Sequence, residues 1–495
     1  MDLLTGFYQN HMVKAMVFEA RTSNDIAGLP GSTLIEKNLS PKITPATFNG
    51  LFVLYKRTEM NVNRATWVVF LAVVVLCSST PAAEKGLELW WPQFRGPNAS
   101  GIGAGKPPIH FGPTQNVRWK TPVGAGLSSP IIVGARIFLT EFDPASQKLA
   151  TVCIDRPTGK VLWRRDVAVE KIEKVHHISS PAGPTPATDG EGVYVYFGSY
   201  GLLCYDLDGN LKWERKLPLP ENPYGATASP IVAGDLLVFN HQGKDAYLMG
   251  LNRRDGKTVW RTDRSAFKFG WSTPVHWRHD GTEEVVVLGG DFEPNQRLMA
   301  YDVATGAERW WVGGLPPCGK STPVIGGGLV FFAAPDIILE QAAEKRNPEK
   351  AAQFYAKNKN TLMAVRPGGT GEVAQANIAW SDRKGVPGVP SPLYYNGRLY
   401  TFKDGGLAYC HEADSGKLLY DERLGTLGYY YSSPVAADNR IYIASAEGVV
   451  TVIDTGTKLN VLATNKLDGG ILATPALAGD NIYVRTESQL YAFGK

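Results

Sequence analysis

The sequence predicts an all-β chain: an eight-bladed β-propeller of four-stranded antiparallel blades, its ring closed by an N-terminal strand that completes the C-terminal blade. Three observations lead there. Ser-Pro or Thr-Pro opens a recurring unit at Pro130, Pro186, Pro230, Pro274, Pro323, Pro392, Pro434 and Pro475. A bulky closing-strand residue recurs independently at Trp119, Trp163, Trp213, Trp260, Trp310, Trp380, Tyr420 and Leu462, which also gives eight. The composition, with 53 Gly, 33 Pro and 11% aromatic residues, supplies turn chemistry rather than helices.

In chain order, residues 1–59 precede a natural start at Met60 and read as a spurious or disordered extension. Residues 60–83 carry Arg64, the apolar run ATWVVFLAVVVLCSS and a small-residue segment, the order of a secretory signal peptide. The run is shorter than the ~20 residues that span a bilayer. Export to the periplasm or cell envelope is therefore expected after cleavage, with residues 65–79 as a membrane anchor if the leader is kept. Residues 84–116 include WWPQFRGPNASGIG, expected to lie as an ordered strap across the body because tandem exposed tryptophans would be costly.

The propeller is assigned to residues 117–495. Val117 to Lys120 reads as a lone closing strand, and the chain ends at QLYAFGK with that strand missing, so the two ends complete one blade. A typical unit runs from Ser433-Pro434 through a turn at Asp438-Asn439, the strand IYIAS, a turn at Glu447-Gly448, and VVTVID into Asp454-Thr455-Gly456. Between Pro323 and Pro392 the unit is longer, and 336–360, rich in Ala, Glu, Lys and Gln, reads as a helical insertion.

The most specific pattern spans the third and fourth strands. Asp155, Thr158, Gly159 and Trp163 share their spacing with Asp302, Thr305, Gly306 and Trp310, with weaker copies through Asp206, Gly209 and Trp213 and through Asp255, Gly256 and Trp260. Asp accepts hydrogen bonds from turn amides, Gly permits positive φ, and Trp buries a flat ring between neighbouring sheets. This pattern resembles the tryptophan-docking motif of the pyrroloquinoline-quinone (PQQ) repeat family, with Trp119, Trp163, Trp213, Trp260, Trp310 and Trp380 as docking residues. The resemblance covers Val117 to Lys495 and implies an eight-bladed propeller. It also implies one of two functional classes. Quinoprotein dehydrogenases hold PQQ and calcium in the central funnel, whereas cofactor-free scaffolds are typified by the propeller lipoprotein of the outer-membrane β-barrel assembly machine. QFRGP and TPATDGEGVYVYFG also resemble segments of exported bacterial propellers described as PQQ-binding-like.

The dehydrogenases' adjacent cysteine pair has no counterpart here. Cys153, Cys204 and Cys410 fall at the third-strand position that holds Ala300 and Ala364 elsewhere, so they read as small core residues. What departs from the repeat is the segment ahead of each opening strand, where loops line one mouth of the channel. His176, His177, Tyr224, Lys268, Trp271, Lys320, Tyr429 and Tyr430, with Tyr431, are the ligand-binding candidates there. No catalytic residue and no metal ligand is assigned, since neighbouring His176 and His177 on a strand would face opposite ways.

The formal net charge is +4 for the chain. Residues 1–83 hold seven basic and five acidic residues, which leaves +2 (4 − 2) for the remainder. That balance provides no footprint for nucleic acid. The functional expectation is an exported, non-catalytic binding or scaffold module that takes a protein partner or small ligand at the channel mouth. It is expected to be monomeric and without a cofactor, and peripheral membrane association is compatible. A PQQ- and calcium-dependent alcohol or sugar dehydrogenase is the alternative.

Overall fold

The computed structural model describes residues 89–290, 296–316, 319–335, 360–373 and 375–495. The expected extension, the leader and residues 336–359 of the expected helical insertion lie outside them. The described residues form eight four-stranded antiparallel units, and in seven of them the strands pair in sequence order from the axis outward. Blade seven shows the plan in Val435–Ala437, Arg440–Ala444, Val449–Asp454 and Val461–Lys466. Its inner hairpin turns through Asp438 and Asn439, both with positive φ (50 and 57). Two left-handed residues match the right-handed twist of the flanking strands.

Blade eight takes Ala476–Ala478, Asn481–Arg485 and Gln489–Phe493 from the end of the chain and Val117–Pro122 from near the described start. The register Val117↔Phe493 through Pro122↔Gln489 closes the ring. Blade one gains a further strand, Trp90–Trp91, on its inner edge against Val133 and Ile132. From there the strap touches blade after blade. Pro92 O accepts from Thr188 N–H at 2.8 Å, Asn98 Oδ1 from His276 N–H at 3.1 Å, and Gly101 O from Ala436 N–H at 2.7 Å. Arg95, fully buried, donates from Nη2 to Pro392 O at 2.7 Å.

Packing between blades follows the docking pattern. The indole Nε1 donates to a carbonyl of the following blade from Trp119 (Arg156 O, 2.9 Å), Trp163 (Leu207 O, 3.0 Å), Trp213 (Arg253 O, 3.0 Å), Trp260 (Val303 O, 2.8 Å) and Trp380 (Ala413 O, 2.6 Å). Each ring lies over the turn glycine of that blade. A Cβ on Gly256 would come 2.7 Å from Trp213 Cε3. Across its own sheet the ring faces a small residue, as in the pairs Trp163↔Cys153, Trp260↔Gly250 and Tyr420↔Cys410. The three cysteines are free and buried, and burial pushes each thiol up to about 12, which keeps it neutral.

Three positions depart from the repeat as read in sequence. In blade three the turn acceptor is Asn252, whose Oδ1 takes the Arg254 amide at 2.9 Å, while Asp255 lies further along the turn. In blade seven the residue across from Val452 is Ala463, one position beyond Leu462, because the Asp454 turn is one residue longer. Trp310 faces Ala300 but turns to Glu284 of its own blade, at 3.1 Å from Oε2. Among the described residues the following blade offers no docking turn. There the chain runs through Arg366 to Asn377, and Gly371–Glu372 pairs parallel with Trp310 and Trp311.

Candidate binding site at the channel mouth

Each Ser or Thr that precedes an opening proline points its hydroxyl at the neighbouring blade. Ser129 N–H donates to Thr185 Oγ1 at 2.9 Å, and Thr185 N–H to Ser229 Oγ at 3.0 Å. Ser229 N–H continues to Thr273 Oγ1 at 3.1 Å, and Thr273 N–H to Thr322 Oγ1 at 3.3 Å. Thr322 donates to Ser391, Ser391 to Ser433, Ser433 to Thr474, and Thr474 back to Ser129, each at 3.0 Å. The result is a closed belt of eight bonds around the axis. It explains why the repeat opens on Ser-Pro or Thr-Pro: the hydroxyl satisfies a buried amide that no strand reaches, and the proline that follows has no N–H to satisfy.

All eight belt residues line an axial cavity of about 110 Å3. The residue two positions ahead of each belt member lines it as well: Leu127, Gly183, Thr227, Trp271, Lys320, Val389, Tyr431 and Leu472. Alternate residues of an extended chain share a face, which stacks these two layers. Phe94 of the strap also lines the cavity.

Above this second layer several candidates come together. The His176 and His177 rings lie 4.1 Å apart, His176 is 5.0 Å from Tyr224, and Tyr224 meets Trp271 edge-on at 5.2 Å. Lys320 Nζ sits 5.9 Å from the Tyr224 ring centre. Trp271 Nε1 donates to Asn222 Oδ1 at 3.1 Å, and its ring stacks on Phe269. Burial, then the neighbouring His177 and Lys320, hold His176 below the usual histidine range, which favours its neutral form. These rings form one aromatic wall across blades two to four, with Lys320 of blade five beside it.

The other candidates are placed elsewhere. Lys268 caps a short 3-10 turn, Ser265–Phe267, and its carbonyl accepts the Gly243 amide at 2.9 Å. Tyr430 is buried among Tyr400, Phe402 and Ile443, with its hydroxyl 3.2 Å from Thr426 Oγ1. Tyr429 stacks on Tyr431 at 6.5 Å and forms a second, smaller wall beside Leu427, which is 74% exposed. Acids fix the backbone of this wall: Glu447 Oε1 accepts the Tyr429 amide at 3.1 Å and Asp404 Oδ1 the Tyr430 amide at 2.7 Å.

The sequence reading passed over Phe94 and most of the second layer. Counting back two residues from every Ser/Thr-Pro would have found that layer. Glu173 was also passed over. It lies buried beneath the aromatic wall and accepts the Ala226 amide on Oε2 at 2.8 Å. Burial pushes its carboxyl up to about 7.

Among the described residues no three His, Cys, Asp or Glu side chains gather in a metal-binding group. A cavity of about 110 Å3 lies well below the ~300–1,000 Å3 of small-molecule sites. Its lining therefore does not fit a three-ring quinone with its calcium.

The family model described as outer membrane protein assembly factor BamB matches residues 110–266 and 244–495. The chain belongs to this family of PQQ-like propellers. It is 24% identical to outer membrane protein assembly factor BamB of Yersinia pestis over 380 residues, covering 69% of this chain and 88% of that one. The structure of BamB from Moraxella catarrhalis superposes with a TM-score of 0.51 at 13% identity, covering 76% of this chain and 98% of that one. Quinohemoprotein alcohol dehydrogenase from Comamonas testosteroni superposes with a TM-score of 0.57 at 12% identity, covering 83% and 81%. At those identities the two structures share the fold with this family member, and nothing finer follows from them. No helix among the described residues is long and apolar enough to cross a membrane.

Proposed function

We propose that this chain is an exported, non-catalytic propeller that serves as a scaffold in outer membrane protein assembly, holding a protein partner on the loops at the mouth of its channel. One observation carries the reading. The aromatic wall from His176 to Trp271 stands over a channel of only about 110 Å3, so the rings of His176, His177 and Tyr224 are presented to something above the ring rather than inside it. Aromatic rings beside a cation suit a protein surface, because they add large contact area at low conformational cost. Membership of the BamB family and the 88% coverage of the Yersinia pestis relative support the assembly role.

The test is capture. A photo-reactive residue placed at His177 or Tyr429 in the full chain should cross-link to one envelope protein. Changing His177, Tyr224 and Lys320 together to Ala should lower capture at least tenfold while the circular-dichroism spectrum stays that of the folded chain. Unchanged capture by the triple variant would sink the mouth as the site.

The quinoprotein reading is supported by shared fold and by a sequence match to a fraction of quinohemoprotein alcohol dehydrogenase ADH IIB of Pseudomonas putida. It makes the opposite prediction on adding PQQ and calcium. Stoichiometric quinone absorbance with dye-linked alcohol or glucose oxidation would replace the scaffold reading. The scaffold reading expects neither.

A further inference from the structure

We propose that the propeller axis is a binding site for a small inorganic anion of the halide class, held in the Ser/Thr belt between Phe94 and Lys320. The inference does not depend on which partner the mouth takes. It begins with the valences of the belt. Every belt oxygen already accepts an amide N–H from the preceding blade, at 2.9–3.3 Å. A hydroxyl in that state retains its own O–H to donate, and the amide that polarises it strengthens that donation. Among the described residues no belt hydroxyl donates to a protein acceptor. Eight residual donors therefore surround one cavity.

One charged side chain lines the cavity. Lys320 is among its lining residues, and no carboxylate is. Next to Phe94, Arg95 is fully buried, and its Nε and Nη1 have no partner among the described residues. Burial without a counter-charge lowers Arg95 to about 9. An anion on the axis would take up the hydroxyl donors beside the Lys320 ammonium, whereas a cation would leave those donors unused.

Size sets the class. A cavity of about 110 Å3 has room for one small ion with a few waters, and not for an anion as large as gluconate. Phe94 and the strap lie on one side of the belt and the second layer on the other. Entry is then from the mouth, past Lys320, where a positive charge raises the local anion concentration.

Two measurements on the full purified chain test this. Crystals grown in bromide should show an anomalous peak on the axis inside the belt, a readout that needs no variant. In solution, Tm should be about 1–2 °C higher in sodium chloride than in sodium gluconate at equal ionic strength, once chloride is about tenfold over its Kd. Gluconate is too large for the cavity and serves as the control. Lys320→Met should remove most of that difference. Axial density without anomalous signal in bromide, or equal Tm in the two salts, overturns the proposal. So does a Tm that follows the change from sodium to potassium rather than the change of anion.

Discussion

Trp310 Nε1 lies 3.1 Å from Glu284 Oε2 within one blade, where the docking tryptophans on either side, Trp260 and Trp380, reach across to the next. Glu284 is 2% exposed and also accepts from His279 Nε2 at 3.0 Å. The two side chains thus replace an inter-blade bond with an intra-blade one. The seam that loses docking is bridged instead by Gly371–Glu372.

Glu284→Ala is expected to destabilise the protein by roughly 3 kcal/mol, because it strands a buried indole N–H and an imidazole at once. Trp310→Phe should cost about 1–2 kcal/mol, since the ring stays while its donor is lost. The double variant should fall short of the sum by about 1–3 kcal/mol, read from denaturant midpoints. Additive losses would show that the pair is not coupled.

Gly256 and Gly281 separate backbone strain from docking. Both have positive φ, +70 and +73, but a Cβ on Gly281 meets nothing within 4 Å while one on Gly256 meets the Trp213 ring at 2.7 Å. Gly281→Ala should cost about 1 kcal/mol from the left-handed backbone alone. Gly256→Ala should cost about 1–3 kcal/mol more, from forcing Trp213 off its seat. Equal losses in Tm would mean that the indole gives way freely.

Glu173 and His241 have opposite pH dependence. Burial raises Glu173 from 4.5 to about 7, so the folded state holds its proton more tightly than the unfolded chain. That contribution is full below about 4.5 and is lost as pH rises towards 7. Burial, then Arg261, lowers His241 from 6.5 to about 4, so its contribution is full above 6.5 and is lost as pH falls towards 4. Tyr196 sits between them, its hydroxyl 3.4 Å from His241 Nδ1. Glu173→Gln removes only the first term. Its stability relative to wild type should therefore rise between pH 4.5 and 7, by roughly 3 kcal/mol in all. A difference that stays constant across that range would show that Glu173 does not titrate there.

How much of this was legible in the sequence can be judged from single residues. Asp438-Asn439 reads as a turn because few other residues accept positive φ in succession, and both angles are positive. The small third-strand residues were legible too, since a Trp ring leaves room for nothing larger opposite it. Trp310 was not legible. Its own motif is complete, and the cause of its turning inward is a missing motif in the following blade. Tyr430 and its neighbours Tyr429 and Tyr431 look alike in sequence, yet the first is core, because alternate residues of an extended segment face opposite ways.

The sequence by itself determined the blades: their number, their order, their turns and the strand that closes the ring. Those features rest on local rules, in which period-two alternation, turn residues and proline placement each act within a few positions. The tertiary structure alone decided which side chains meet on the axis. The belt joins residues from eight separate blades, and its last bond runs from Thr474 back to Ser129. Only ring closure brings those two together, so nothing in the neighbourhood of either could announce the contact.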